Sequence, residues 1–378
     1  EKATYSWTMA GKVIGTSPSL SFASDKTGEY FITLTLTTDS GTDEEEIRID
    51  VDGDVVLGDT AQLSVGAQDQ LCYTMLNAKS ITLRNSARLA IVAGPTNGVY
   101  STKHTHQTGS GFLNVGGSLK ILDTTALHPV CDSYTGGGVV IKADYVQVTT
   151  NATIDANGLG YVNKIDRTPQ STAPYSGYSY TIGCGHGGNG GGTTASSSYG
   201  KAYDVPYSPV MPGSTAVNPY SGTVNNTTSG GGVIRVHARR VKIDGLVTAR
   251  EKTPSPIYSG GAGGSIWITA SISLKISAGA KFDLRGGSEN NNYGHGGAGG
   301  RMSISRGLSD AEVAAMLLNG NVAPVRYGAR PIFDLPINDF NVEYPGVVVD
   351  INGRKGGGKG TFRFLDGGQK RGFMIYLR

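Results

Sequence analysis

Histidine and cysteine are the residues of this sequence whose side chains could bind a metal or take part in catalysis. His186 and His295 both lie in the short sequence Gly-His-Gly-Gly. Because one context occurs twice, we expect one structural role used twice, in which the imidazole hydrogen-bonds to backbone carbonyls. The alternative is a metal-binding or catalytic pair assembled by the fold. Cys184 precedes His186 by two residues and would act as a nucleophile only beside an orienting base, which the sequence does not show.

Two other groups of residues have the composition of a metal site. His104 and His106 would point to the same side of a strand, but the sequence offers no evident third ligand. An acidic group could hold Ca²⁺, with a solvated hairpin edge as the alternative. Its members are Asp43, Glu44, Glu45, Glu46, Asp50, Asp52 and Asp54. No P-loop, EF-hand or Gly-x-Ser-x-Gly motif occurs, so no cofactor other than Ca²⁺ is expected.

The chain has 3 cysteines, and none of them forms a Cys-x-x-Cys pair. A thiolate zinc site is therefore not expected. Cys72 and Cys131 are candidates for a disulfide in an oxidising compartment, which would leave Cys184 over. Buried thiols are the alternative.

A segment rich in tyrosine, glycine and serine spans residues 159–229. Between Thr168 and Gly232 the only charged side chains are Lys201 and Asp204. A tyrosine ring offers an apolar platform and its hydroxyl a hydrogen bond, which suits recognition of a glycan or a protein. The alternative is that the rings only pack the segment against the fold. The candidate ligand-binding residues are Tyr178, Tyr180, Tyr199, Tyr203, Tyr207, His186 and His295.

The first 51 residues alternate between apolar and polar side chains, as half-buried strands do. Strands over 30–37 and 46–51, joined by a turn at 39–42, predict a β-hairpin. The sequences Tyr-Ser-Trp at 5–7, Thr-Gly-Glu-Tyr at 27–30 and Asp-Ser-Gly at 39–41 resemble the second half of a PKD-type immunoglobulin-like module. The resemblance implies a β-sandwich of the kind found in secreted bacterial glycan-handling and surface proteins. That family has further strands before the position of Tyr5, so we expect an incomplete sandwich with an open edge.

Internal repeats follow, each beginning with glycines and an apolar strand. The starts are Gly136–Ala143, Gly230–Ala238, Gly263–Ala270 and a shortened one at Gly299–Ile304. A unit of about 20 to 25 residues cannot bury its apolar side chains alone, whereas stacked units can, which favours a parallel β-helix-like β-solenoid. A β-sandwich of hairpins is the alternative. The Gly-Gly pairs of the repeats would mark corners where the chain turns tightly and a Cβ has no room, and the glycine-rich runs of the insert 159–229 could form polyproline-II-like strands that are hydrated or pair laterally. The repeats resemble the glycine-rich β repeats of large secreted surface proteins.

One helix is predicted, and it completes the domain assignment. Ser309 and Glu312 form a capping box, and Asn319-Gly320 ends the helix, which we expect to cap the stack. The all-β chain therefore divides into an immunoglobulin-like module at 1–52, the repeat domain at 53–307, and a capping helix with C-terminal strands at 308–378.

Charge and composition limit the partners and the location. The chain has 33 basic and 30 acidic residues, a net charge of +3, which does not indicate nucleic-acid binding. No apolar run reaches the length of a transmembrane helix. Few charges with abundant Ser, Thr, Asn, Gly and Tyr predict an extracellular or cell-surface protein.

Two functions fit these features. The first is a noncatalytic surface or structural protein that acts in adhesion, in glycan binding, or in assembly through a donated strand, for which the apolar segment 372–377 is a candidate. The second is a secreted polysaccharide-degrading enzyme of the lyase kind, built on a β-helix. Its candidate residues would be Tyr258, Lys281, Arg285 and His295.

Overall fold

The computed structural model of the chain is mainly β-structure, with 46% of residues in strands and 6% in helices, which confirms the all-β class. It describes residues 3–18, 28–51, 53–66, 74–95, 110–133, 135–161, 183–192, 200–215, 229–252, 260–288, 295–326, 331–354 and 356–368. None of the helices in these ranges is both long and apolar enough to cross a membrane.

The strands in chain order are β1 (Thr4–Met9), β2 (Lys12–Gly15), β3 (Gly28–Thr38), β4 (Gly41–Val51), β5 (Asp54–Leu57), β6 (Gln62–Val65), β7 (Thr74–Ala78), β8 (Ser80–Leu83), β9 (Arg88–Val92), β10 (Gly111–Ile121), β11 (Ala126–Val130), β12 (Val139–Val148), β13 (Thr153–Asp155), β14 (Val233–Ile243), β15 (Leu246–Thr248), β16 (Ser265–Ile276), β17 (Lys281–Asp283), β18 (Arg301–Arg306), β19 (Phe333–Leu335), β20 (Val348–Asp350) and β21 (Thr361–Asp366). The helices are α1 (Asp310–Leu318) and α2 (Ile337–Glu343). The chain divides into two compact units, Glu1–Val55 with Ala78–Ser80 and the remainder.

The smaller unit contains a four-stranded antiparallel sheet in the order β2-β1-β3-β4. The predicted hairpin is confirmed, because β3 and β4 pair from Gly28↔Val51 to Thr38↔Gly41. Its alternation is visible at the two residues Phe31 and Ile32, of which the first is 47% exposed and the second 1%. The acidic residues 43–46 lie on β4 and are exposed.

The larger unit is built round two mainly parallel sheets, in which β19 is antiparallel to its neighbour β21. One has the order β19-β21-β18-β16-β14-β12-β10-β8-β5, with β7 paired to β10, and the other has the order β20-β17-β15-β13-β11-β9-β6. From β8 to β18 the chain alternates between the two sheets, so each passage adds one strand to both. The repeat strands β12, β14, β16 and β18 are parallel neighbours, whereas a sandwich of hairpins would pair them antiparallel.

In-register apolar residues form the core of this unit. One row of the ten-stranded sheet consists of Leu113, Ile141, Val236, Ile268, Ile304 and Phe364, all buried. The seven-stranded sheet contributes a second row, in which Leu89, Leu127, Ile154, Val247 and Phe282 are buried. Because parallel pairing repeats the same side-chain direction on every strand, the apolar alternation of the repeats produces continuous rows.

The glycine-rich starts of the repeats lie outside the helices and strands and hydrogen-bond to one another. We call residues 229–232, 260–264, 295–300 and 356–360 the glycine layer. Gly231 N donates to Ala262 O, Gly263 N to Ala298 O and Gly299 N to Gly358 O, each at 3.0 Å. A Cβ on Gly263 would overlap the carbonyl oxygen of Leu284. The predicted lack of room for a Cβ is therefore confirmed at Gly263, but its cause there is lateral contact between backbones and not a tight corner.

Helix α1 begins and ends as predicted. Ser309 caps it, and the side chain of Glu312 accepts a hydrogen bond from the Ser309 backbone, which completes the capping box. Its position differs from the prediction. Met316 packs in one cluster with Trp267 of β16 and Leu365 of β21, so α1 covers a face of the sheet and not the end of the stack. The unpredicted α2 lies beside β21, where Phe340 packs against Phe362 and Phe364 at ring distances of 5.1 and 5.2 Å.

The capping box gives the stability a defined pH dependence. Hydrogen bonds from the Arg326 side chain lower the pKa of Glu312 to about 2, and hydrogen bonds from Ser309 add to this effect. A carboxyl group with a depressed folded-state pKa stabilises the protein above its unfolded-state pKa of about 4.3, and this contribution is lost as the pH falls toward 2. We expect Glu312→Gln to lower the free energy of unfolding by about 1 kcal/mol at pH 7 and by less at pH 2 to 3.

Thermal unfolding of both proteins across this pH range measures the difference. Glu46→Gln, at an exposed glutamate of β4, is the matched control, and its stability relative to wild type should not depend on pH in this way. If Glu312→Gln is less stable than wild type by the same amount at pH 7 and at pH 2.5, Glu312 is not the source of this pH dependence.

Candidate functional site

The candidate site lies on one face of the ten-stranded sheet, opposite the row of Ile268 and Ile304. We call it the outer face. Register places Val140, Arg235, Trp267, Ser303 and Arg363 in one row across it, and Lys142, His237, Thr269, Ser305 and Leu365 in the next. Residues 200–215 and α1 pack on this face, because Tyr203, Val210, Met211 and Met316 form one apolar cluster with Trp267.

A buried polar cluster joins residues 183–192 and 200–215 to the sheet. Nδ1 of His186 donates to Gly263 O at 2.7 Å, and Nε2 lies 3.5 Å from Oδ2 of Asp204. Ser265 Oγ is 3.4 Å from the same Nε2 and 3.2 Å from the same Oδ2. The side chains of His186 and Asp204 have no exposed surface, and Ser265 is fully buried as well.

These residue types also occur in hydrolase triads, but their arrangement here suits a structural role. Ser265 Oγ donates to Met211 O at 2.6 Å, so its proton is directed to a carbonyl. Oδ2 of Asp204 accepts from the backbone amides of Val210 and Met211, both at 3.1 Å. A nucleophile must reach its substrate, and this one is buried beneath 200–215. The cluster therefore fastens that segment to the outer face.

Tyr203 and Arg301 extend this attachment. The Tyr203 hydroxyl donates to Pro212 O at 2.5 Å, and Arg301 Nε donates to Tyr203 O at 2.7 Å. Burial raises the pKa of Tyr203 well above its usual value and lowers the pKa of Arg301. The placement of Tyr203 and His186 favours packing over ligand contact, because both side chains are buried and hydrogen-bonded inside the protein.

The two Gly-His-Gly-Gly segments lie side by side, but their histidines have different surroundings. Gly187 N donates to Gly299 O and Gly191 N to Gly296 O, both at 3.0 Å. The predicted bond from imidazole to carbonyl is present at His186, which is buried, whereas His295 is only half-buried.

Several predicted site residues lie outside the described residues: Tyr178, Tyr180, Tyr199, Tyr258, His104, His106 and Cys72. The Cys72–Cys131 disulfide and the histidine metal pair thus stay predictions. Cys131 is buried, its Sγ accepts from Val233 N at 3.2 Å, and burial raises the pKa of its thiol to about 12. Cys184 is fully buried too. Among the described residues no group of three or more His, Cys, Asp or Glu could hold a metal ion, and the Ca²⁺ site, which includes the undescribed Asp52, stays a prediction.

Tyr207 is the described candidate tyrosine that reaches the surface. Its hydroxyl donates to Oδ2 of Asp334 at 2.7 Å, and the guanidinium carbon of Arg363 lies 4.9 Å from its ring centroid. Burial, followed by the hydrogen bond to Asp334, raises the pKa of Tyr207. Arg363 is 41% exposed and Asp334 28%. We call Tyr207, Asp334 and Arg363 the Tyr207 platform.

A cationic group on the same face was not predicted. Nε of Arg235 donates to Nε2 of His237 at 2.9 Å, so Nδ1 of His237 carries the proton and donates to Thr269 Oγ1 at 2.9 Å. The Arg235 guanidinium lies 5.0 Å from the Trp267 ring centroid. Burial, then Arg235 and Lys142, hold the pKa of His237 well below its usual value. Aligning the repeats by their glycines would have found this group.

The seven-stranded sheet carries a ladder of similar turns, also unpredicted. Asp155, Thr248, Asp283 and Asp350 are register partners. Each of the three aspartates accepts a hydrogen bond from the amide two residues later. The sequences Asp-x-Asn-Gly at 155 and 350 and Asp-x-Arg-Gly at 283 identify the turns. Arg285, a candidate lyase residue, is held here by Asp283 and Asp350.

None of the protein-family models, curated proteins and solved structures compared with this chain matches it.

Proposed function

We propose that this chain is a noncatalytic extracellular surface protein that binds glycans through the Tyr207 platform. The observation that carries the proposal is the contrast between the platform and the His186 cluster. The aromatic ring, carboxylate and guanidinium of the platform are partly exposed, whereas His186, Asp204 and Ser265 are buried and fasten the chain to itself.

The platform has the chemistry that carbohydrate recognition uses. An aromatic face packs on the apolar side of a sugar ring, and charged groups with fixed positions exchange hydrogen bonds with its hydroxyls. Asp334 accepts from both Tyr207 and Arg363, at 2.7 and 3.4 Å, so the three side chains hold one another in place. Such preorganisation reduces the entropy lost when a ligand binds.

The proposed scaffold is a β-solenoid that follows an immunoglobulin-like module of the PKD type. The solenoid is supported by the two parallel sheets, to which each passage of the chain adds a strand, and by the glycine layer that connects them. The module is supported by the antiparallel order β2-β1-β3-β4. Both architectures suit the display of a binding surface outside the cell.

Replacing Tyr207 tests the function. On a glycan array we expect the wild-type chain to bind, and Tyr207→Ala to weaken binding at least tenfold, about 1.4 kcal/mol, because the ring is lost. Tyr207→Phe keeps the ring, loses only the bond to Asp334 and should weaken binding less. Tyr145→Ala, at a half-buried tyrosine elsewhere in the sheet, is the matched control. Equal binding by wild type and Tyr207→Ala would refute the platform.

Incubation with uronic-acid polysaccharides tests whether the protein is instead a lyase. Formation of unsaturated chain ends that is lost in His295→Ala would overturn the noncatalytic proposal. We expect no turnover.

A further inference from the structure

Four buried polar atoms on the outer face have no hydrogen-bond partner in the described part of the chain. They are Nε1 of Trp267, Oγ of Ser303, Oγ of Ser305 and Nε of Arg363. Trp267, Ser303 and Ser305 are fully buried, and Nε of Arg363 is buried although the rest of that side chain reaches the surface. Buried polar groups are almost always satisfied, so a cluster of four indicates a bound group.

Register brings these atoms together. Trp267, Ser303 and Arg363 are consecutive partners on β16, β18 and β21, and Ser305 follows Ser303 by two residues on the same side. Neighbouring strands lie about 4.8 Å apart and alternate residues about 6.6 Å apart. The four residues therefore lie on the same face within two strand spacings of one another. Ser303 stands between a tryptophan and an arginine and has a shorter side chain than either.

The chemistry of the area favours an anion. The indole and guanidinium N–H groups can only donate hydrogen bonds, and the two serine hydroxyls can donate as well. Arg235 lies against Trp267, and Arg301 is on the same side of β18. Burial lowers the pKa of Arg235 to about 10 and also lowers that of Arg301, so both cations lack solvation. Asp334 is engaged by Tyr207 and Arg363. Oδ2 of Asp204 is engaged by the amides of 210 and 211, whereas its buried Oδ1 has no partner in the described part of the chain.

We propose that the outer face holds a buried site for a small monovalent anion of the size of chloride or formate, bound by Trp267, Ser303, Ser305 and Arg363. The alternative occupant is a water molecule, whose two protons would go to the two serine hydroxyls and whose oxygen would accept from Trp267 and Arg363, and its binding would not depend on which anion is in solution. The coverage by residues 200–215 and α1 restricts the ligand to a small ion. The site shares Arg363 with the Tyr207 platform, but its test measures thermal stability and does not depend on glycan binding.

Thermal unfolding of the full chain at constant ionic strength tests the proposal. When chloride or formate replaces the bulky anion gluconate, we expect a saturable rise in Tm of about 2 to 4 °C. Ser303→Ala should abolish the rise. In gluconate this variant should be at least as stable as wild type, because it removes a buried hydroxyl without a partner. Ser273→Ala, at a half-buried serine of β16, should behave like wild type.

A second measurement keeps the test open if Ser303→Ala does not fold. Ser305→Ala removes a different donor and should reduce the chloride-dependent rise, and crystals soaked in bromide should show anomalous density between Trp267 and Ser303. The same wild-type Tm in chloride, formate and gluconate would overturn the proposal, as would a full rise in both serine variants.

Discussion

A methyl group at position 299 is expected to lower the free energy of unfolding by about 3 kcal/mol or more, because Gly299→Ala forces a side chain into a space that backbone atoms already fill. Its Cβ would overlap the carbonyl oxygen of Ile351 and lie 2.8 Å from Gly360 N. Both neighbours are backbone atoms, which cannot rotate away as a side chain can. Relief requires moving the backbone at Ile351 as well as segment 356–360, to which Gly299 N is hydrogen-bonded through Gly358 O.

Denaturant unfolding of Gly299→Ala and Gly58→Ala measures this effect against a matched control. A Cβ on Gly58 would meet only the Arg84 side chain, at 3.4 Å, so we expect a change within about 0.5 kcal/mol. If the two variants are equally stable, the close contacts of the glycine layer are not what excludes side chains from it.

The second large effect is expected at Asp204. Asp204→Ala leaves the amides of Val210 and Met211 without their acceptor, beside the buried side chains of Ser265 and His186. Loss of a buried charged acceptor costs about 3 to 5 kcal/mol. Position 204 also has φ +65°, a conformation that alanine adopts less readily than aspartate. We therefore expect a strongly destabilised protein that proteases cleave within 200–215.

Asp204→Asn separates the hydrogen bonds from the charge. Asparagine keeps one acceptor oxygen and tolerates positive φ, so it should retain about half of the stability that alanine loses. Chemical denaturation and limited proteolysis of both variants compare them. If both variants lose the same stability, the negative charge of Asp204 near His186 and Arg301 contributes more to stability than its hydrogen bonds to the turn over 204–211.

The repeat strands were predictable because their pattern is local. Glycines followed by alternating apolar residues locate β12, β14, β16 and β18, and the capping box locates α1. Other elements have no such pattern. The strand β19 has only three residues, and α2 has Pro336 as its cap without a side-chain bond. Whether a short segment folds as they do depends on partners such as Phe364 that are distant in sequence.

The site was predictable only in its residue types. The glycines on both sides of His186 indicated a hydrogen bond from its imidazole to a backbone carbonyl. The sequence did not show that this carbonyl belongs to Gly263, 77 residues away. Ser265, 79 residues from His186, has no distinguishing sequence context. The donors Trp267, Ser303 and Arg363 become one group only when three repeats are laid in register. A single sequence shows that the repeats exist, but it does not show which side chains of neighbouring strands come to lie beside one another.

The direction of β19 also limits how copies of this protein can join. β19 runs antiparallel to β21 and lies at the edge of the ten-stranded sheet. An incoming copy would meet a reversed strand of three residues at this edge, in place of the outermost parallel strand, so it could not extend the ladder by simple translation. Short, irregular edge strands discourage edge-to-edge pairing in many proteins. A reversed strand of three residues at this edge thus does not offer the parallel pairing that head-to-tail addition of a copy to the ten-stranded sheet would need.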